Sequence, residues 1–150
     1  MGTPVDSVPR LIQDALAAGA DSPGYPATYG TAALREAAAG WLARDHGVSV
    51  SPDAVLPVIG TKELVAWLPT LLGCGPGDAV IHPELAYPTY DVGARLAGAR
   101  PVRAGEPAGG EDEHVRLVWL NSPANPTGEV LSASALADAV AAARDRKSVV

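Results

Sequence analysis

From Val55 onward, short apolar runs alternate with stretches of helical period, and glycine or proline marks most of the changes. Residues 55–59, 79–82, 99–104 and 115–120 read as strands. Residues 61–73, 88–98 and 132–146 read as helices, the last capped by Ser132 or Ser134. Pro69 falls inside the first of these and predicts a kink. Leu64, Trp67, Leu68 and Leu71 fall on one side of it. Such an order admits few architectures. It predicts an α/β fold with αβα layers around a mostly parallel sheet, joined by right-handed crossovers. Upstream, residues 9–20 form a candidate helix opened by Pro9 and ended by Gly19. Residues 31–46 form a second, with Leu34, Ala38, Trp41 and Leu42 on one face and Gly47 as its stop. The closing residues 148–150 read as the start of another strand, so the sheet is expected to be incomplete here.

The core of such a fold must come from Ala, Leu and Val, because 47 % of residues are hydrophobic but only 5 % are aromatic, with no Phe. The net charge of −6 and the lack of a Lys/Arg cluster argue against a nucleic-acid surface. One cysteine, Cys74, rules out an internal disulfide and suggests a reducing compartment, hence the cytoplasm. His46, His82 and His114 are scattered singly, so no metal site is expected. No run approaches the roughly 18 apolar residues of a membrane span, and the N-terminus lacks the pattern of a signal peptide.

In a parallel α/β sheet, ligands bind beyond the carboxyl ends of the strands. Three stretches occupy that position. In "VIGTKELV" (58–65) a strand is expected to end at Gly60 and a helix to begin at Thr61 or Lys62. The unpaired N–H groups of a helix start favour an anion, most often phosphate, although the same text also describes an ordinary capped helix. In "HPELAYPTY" (82–90) Tyr87 can offer a ring face to a flat ligand or pack on the following helix. In "NSPANPTG" (121–128) Ser122 and Asn125 each precede proline and are held out of helical backbone. That density of breaks suits a side-chain amide kept in a fixed pose at Asn125, or simply a loop. A phosphate cradle, an aromatic platform and an oriented amide together suit pyridoxal 5′-phosphate, a planar phosphorylated ring with a phenolate oxygen.

These residues resemble the class I/II aminotransferases of pyridoxal-phosphate fold type I. "NSPANPTG" is similar to that family's N-P-x-N-P-T-G signature, with Ser122 standing between Asn121 and Pro123. "GTKE" resembles the phosphate-loop motif. "AYPTY" resembles the P-x-Y-P-x-Y segment, with an insertion after Pro83. "GYPATYGTAALREA" resembles Y-x-P-x-x-G-x-x-x-L-R. The four motifs follow the family's order over almost the whole chain. "GTPVD" and "SPGYPAT" resemble the succinyldiaminopimelate transaminase group of the family.

The resemblance implies roles for particular residues. Gly60, Thr61 and Lys62 would hold the cofactor phosphate, Tyr87 would stack on its ring, and Asn125 would bond its 3′-oxygen and lie near the substrate carboxylate. Tyr25 would reach the cofactor of a neighbouring subunit, which implies a homodimer. Gly2 matches a glycine near the substrate carboxylate. The Schiff-base lysine is expected beyond residue 150, so no catalytic residue is assigned here, and Lys62 is not its substitute. The chain is expected to be a fragment: residues 1–30 part of an arm and small-domain region, residues 31–150 part of the large cofactor-binding domain. The implied activity moves an amino group between an amino acid and a 2-oxo acid. Two alternatives share the motifs, an aminotransferase-like sensor of a transcription regulator and a lyase or decarboxylase. An ordinary dinucleotide-binding domain is disfavoured because no G-x-G-x-x-G follows a strand.

Overall fold

The computed structural model describes residues 5–105, 114–145 and 148–149. They divide into two compact units, parting between Pro57 and Val58.

In the N-terminal unit, α1 (Arg10–Ala18) starts directly after Pro9, and none of its residues is buried. α2 (Ala32–His46) is bounded as its sequence predicts. The Thr31 hydroxyl accepts the Leu34 N–H at 3.2 Å, and Gly47 closes the helix at φ 65°. Its expected apolar face is only partly covered: Ala38 and Leu42 are half-buried, Leu34 and Trp41 are about half exposed, and the buried residue, Ala39, is not one of that face. Arg35 ties three parts of the unit together. Its guanidinium lies 5.1 Å from the Tyr29 ring centroid, donates to Asp53 at 2.9 Å and reaches the Pro52 carbonyl at 3.4 Å. Gly30 is needed beside this knot, since its φ is +78° and a Cβ there would stand 2.6 Å from Pro57 Cγ.

The strand expected over 55–59 does not form. A 3-10 turn, Pro52–Ala54, leads into the segment, and Val55 is extended. No ladder forms on it among the described residues, and Leu56 and Ile59 remain exposed. An apolar run becomes a strand only where a neighbouring backbone pairs with it.

The second unit holds α3 (Thr61–Leu71), β1 (Asp78–His82), α4 (Thr89–Leu96), β2 (Arg100–Arg103), β3 (His114–Val118) and α5 (Ala133–Asp145). The three strands form a parallel sheet in the order β2-β1-β3. Val149 adds a parallel bridge to Leu117, where residues 148–150 were expected to open a strand. α/β architecture with a parallel sheet is therefore what the chain builds. The Ser132 hydroxyl accepts the Ala135 N–H at 3.1 Å, which makes Ser132 the cap of α5.

The register of β3 slips by one residue opposite Ala79 and Val80. Ala79 pairs with Val115 and Val80 with Leu117, so Arg116 is the extra residue. Regular alternation would put Val115 and Leu117 on one face. The bulge separates them. Leu117 joins Cys74, Val80, Ala94 and Ala99 in one cluster, while Val115 joins Ala79 and Val102 in another. Val80, Val102 and Leu117 are buried completely or nearly so, each contributing about 1.5–3 kcal/mol of transfer free energy.

α3 and α4 lie against each other at very close range. Pro69 sits inside α3 without ending it. It lacks an N–H, so the carbonyl of Val65, four residues earlier, loses its helical donor. That carbonyl faces Gly93 of α4, where an added Cβ would lie only 2.7 Å away. Val65 and Pro69 are the buried residues of α3; of its apolar stripe Leu64 and Leu68 are half-buried, Leu68 against the core cluster, while Trp67 and Leu71 are exposed at 52 % and 72 %.

Candidate functional site

Because β1 and β3 are parallel, the loops after His82 and Val118 leave the same edge of the sheet. α3 precedes β1 and returns the chain to the start of that strand. Eleven helical residues and five strand residues both span about 16 Å. The N-terminus of α3 therefore stands at the same carboxyl edge as the two loops.

Gly60 opens α3 with φ 86° and no side-chain cap. The first-turn N–H groups are thus left for another acceptor. A Cβ on Gly60 would meet nothing within 4 Å, so the approach to these amides is open. Lys62 and Tyr87, 25 residues apart in sequence, meet here. The ammonium lies 3.4 Å from the Tyr87 hydroxyl and 5.2 Å from its ring centroid, within reach of the ring's negative face. Gly60, Lys62, Glu63, Trp67, Tyr87 and Pro88 line a cleft of about 690 Å³. Thr61, also exposed, begins the helix beside it.

The loop after β3 is closed by its own hydrogen bonds. The Ala124 N–H donates to Glu129 O at 2.8 Å and the Gly128 N–H to Ala124 O at 2.6 Å. The Leu131 N–H donates to the Ser122 hydroxyl at 3.0 Å. With the Asn121 amide oriented to satisfy both its ends, its nitrogen donates to Pro123 O at 3.2 Å and its oxygen accepts the Asn125 N–H at 3.1 Å. Both Ser122–Pro123 and Asn125–Pro126 are cis. Asn125 is exposed, free of the helical backbone that its proline forbids. Asn121, which clamps it, was not singled out from sequence. The signal was present: an Asn directly before a turn-rich stretch often bonds backbone two to four residues on.

The structure thus brings Gly60, Lys62 and Tyr87 to one cleft and places the Asn125 loop on the same sheet edge. Asn125 itself does not line that cleft. Its neighbours Ala124 and Thr127 border a second hollow of about 320 Å³ with Pro83, Glu84 and Leu85. Tyr25 belongs to the N-terminal unit and is fully exposed. Gly2 lies outside the described residues.

Asp91, on α4, is held below its usual carboxylate range chiefly by its hydrogen bond from Arg95. Burial pushes the Cys74 thiol up, which marks it as an inert packing residue. The described residues contain no cluster of three or more His, Cys, Asp or Glu able to hold a metal ion. No described helix is long and apolar enough to cross a membrane.

Residues 2–150 match the family described as Aminotransferase class I and II. The chain is 59 % identical over 150 residues to the 4-dedimethylamino-4-oxo-anhydrotetracycline transaminase OxyQ of Streptomyces rimosus, covering all of this chain and 42 % of that protein. It is 58 % identical over 151 residues to a probable aminotransferase of Mycobacterium tuberculosis, of which it spans 36 %. Among solved structures, N-succinyldiaminopimelate aminotransferase from Mycobacterium tuberculosis superposes with a TM-score of 0.78 at 32 % identity, covering 99 % of this chain and 43 % of that one. The chain therefore spans well under half the length of these relatives.

Proposed function

The chain belongs to the class I and II aminotransferases, and from that footing we propose that it forms the cofactor-binding part of an enzyme moving an amino group between an amino acid and a 2-oxo acid. Members of this family use pyridoxal 5′-phosphate. When bound, that group supplies an electron sink for the carbanion formed at the substrate Cα. The observation that carries the reading is the convergence of Gly60, Lys62 and Tyr87 on one cleft, at the sheet edge that the Asn125 loop also leaves.

The residues present fit the cofactor. The uncapped first turn of α3, opened by Gly60, offers N–H donors and a positive dipole end to a phosphate. Thr61 adds a hydroxyl and Lys62 a charge. Tyr87 offers a flat ring, and Asn125 an amide donor that adds no charge. By their family resemblance, Tyr25 reaches the cofactor of a second subunit and Gly2 the substrate carboxylate, so the working enzyme is a homodimer. Residues 1–30 then belong to the arm and small-domain region and residues 31–150 to the large domain. The lysine that carries the cofactor lies outside this chain. The enzyme works in the cytoplasm.

The amino donor is succinylated diaminopimelate on the reading supported by "GTPVD", by "SPGYPAT" and by the structural neighbour of that name. A second reading, a ketone on a polycyclic ring, is supported by the higher identity to the oxo-anhydrotetracycline transaminase. Both are tested on the full gene product by following amino transfer from succinyldiaminopimelate to a 2-oxo acid, and from an amino acid to the polycyclic ketone. Asn125→Ala in that protein should shift the cofactor's absorption spectrum and slow turnover at least about tenfold, the scale of one lost hydrogen bond to charge. Unchanged turnover and spectrum would reduce the Asn125 loop to a turn.

A further inference from the structure

Tyr87 and Asn125 sit on separate loops, yet an unbroken line of contacts joins them. The Tyr90 N–H donates to the Tyr87 carbonyl at 3.2 Å. The Tyr90 ring meets Trp119 edge to face, with centroids 5.5 Å apart and planes at 70°. It also lies near-parallel to the His82 ring, with centroids 6.5 Å apart and planes at 20°. The His82 Nδ1 lies 2.9 Å from the Pro83 carbonyl; since a carbonyl only accepts, that nitrogen carries the proton. The imidazole thereby holds the first peptide of the Tyr87 loop. Trp119 is anchored in turn, its N–H donating to Ile81 O at 2.8 Å. Two residues later comes Asn121, whose amide clamps Asn125.

We infer that Tyr90 and Trp119 are positioning residues, whose edge-to-face contact sets the separation between the aromatic platform at Tyr87 and the amide at Asn125. The inference rests on the cofactor reading for its functional meaning but on these contacts for its physics. Both rings are held by buried neighbours. Trp119 packs on the cluster of Val80, Ala94 and Leu117, and its indole nitrogen is fully covered without a hydrogen-bond partner. A polar atom left unpaired is a cost, and it is accepted where the ring must sit for packing. Offset or edge contact between aromatic rings is directional, so the pair resists sliding as well as separation. An aliphatic residue of similar volume would fill the space without fixing the angle.

The test uses the full gene product and two readouts. In the first, the side-chain amide resonances of Asn121 and Asn125 are followed by two-dimensional NMR. Tyr90→Leu should shift both, while Tyr90→Phe, which keeps the ring, should leave them in place. Trp119→Phe, which keeps an aromatic core but draws back from Tyr90, should shift the resonances of Tyr87 from the opposite direction. It serves also if Tyr90→Leu fails to fold. In the second, pyridoxal phosphate is titrated against tryptophan emission, Trp67 lying on the cleft. Tyr90→Leu should weaken binding about two- to tenfold, the range of one aromatic pair, and Tyr90→Phe should not. Asn121 and Asn125 resonances unmoved by Tyr90→Leu, or Tyr87 resonances unmoved by Trp119→Phe, would overturn the coupling. If the full gene product fails to bind pyridoxal phosphate while the resonances move together, the coupling stands and the cofactor reading fails.

Discussion

Gly93→Ala asks whether the α3–α4 contact is as close as it stands. Two effects oppose each other at this residue. Within a helix, replacing Gly by Ala removes backbone entropy from the unfolded chain and stabilises by about 1 kcal/mol. Against that, the new methyl would lie 2.7 Å from the Val65 carbonyl oxygen, 3.0 Å from that of Ala66 and 3.1 Å from the Ala66 Cα. Carbon atoms prefer to stay roughly 3.5 Å apart or more, so the helices must separate by a few tenths of an ångström. The obstructing atoms are backbone atoms of α3 and cannot rotate away. Overpacking of this kind costs about 1–3 kcal/mol, which outweighs the propensity gain. Urea titration should show a net loss of up to about 2 kcal/mol, a midpoint lower by up to roughly 1 M at the usual slope for small proteins. Gly40→Ala is the internal control. Gly40 also lies within a helix, but a Cβ there meets nothing within 4 Å, so the substitution should stabilise by about 1 kcal/mol. If Gly93→Ala stabilised the chain as Gly40→Ala does, the close helix contact would be refuted.

Thr31→Ala removes the side chain that accepts the Leu34 N–H and should cost about 1 kcal/mol, measured by thermal or urea unfolding; Thr31→Ser should retain most of it. Asp91 should titrate below 3.8 by carboxyl NMR and return toward that value in Arg95→Gln. A carboxylate with a depressed folded pKa adds stability above its unfolded pKa and loses it as pH falls through the folded one. The difference between parent and Arg95→Gln should therefore be present at neutral pH, small because the pair is exposed, and vanish in acid below about pH 3.8. Borohydride treatment with pyridoxal phosphate should leave no stoichiometric label on any one lysine of this chain; complete labelling of Lys62 would assign the catalytic lysine here after all.

Helix boundaries were legible because local chemistry decides them. Thr31 and Gly47 bound α2 through a hydroxyl and a left-handed residue, and Ser132 caps α5 in the same way. The parallel sheet was legible from the alternation of apolar runs with helical stretches. The strand at 55–59 was misread because pairing depends on a distant backbone, which no local pattern reports. Which residues of α3 are buried was not legible for a related reason. Leu64, Trp67, Leu68 and Leu71 make the more hydrophobic stripe, but Gly93 lets α4 approach at Val65, and that glycine lies far along the chain. At the site, the meeting of Lys62 with Tyr87 required both ends of a crossover to be placed. The clamp at Asn121 was local, and the density of prolines drew attention to Asn125 instead.

The bulge at Arg116 explains how an edge with this geometry is reached. A one-residue change of register reverses every side chain beyond it. Upstream of the bulge, Val115 faces the cluster of Ala79 and Val102. Downstream, Leu117 and then Trp119 face α4. With an unbroken ladder aligned on Val115, position 119 would share that residue's face, and the indole would turn away from Tyr90. The irregularity thus turns β3 so that the residue leaving the sheet meets α4, and the loop after it departs from an anchored ring. Pro69 acts in the same sense at the other side, since the carbonyl it leaves without a donor lies where α4 has only a glycine. In both places a break in regular hydrogen bonding brings α4 to the position where Tyr87, at its entrance, can meet Lys62.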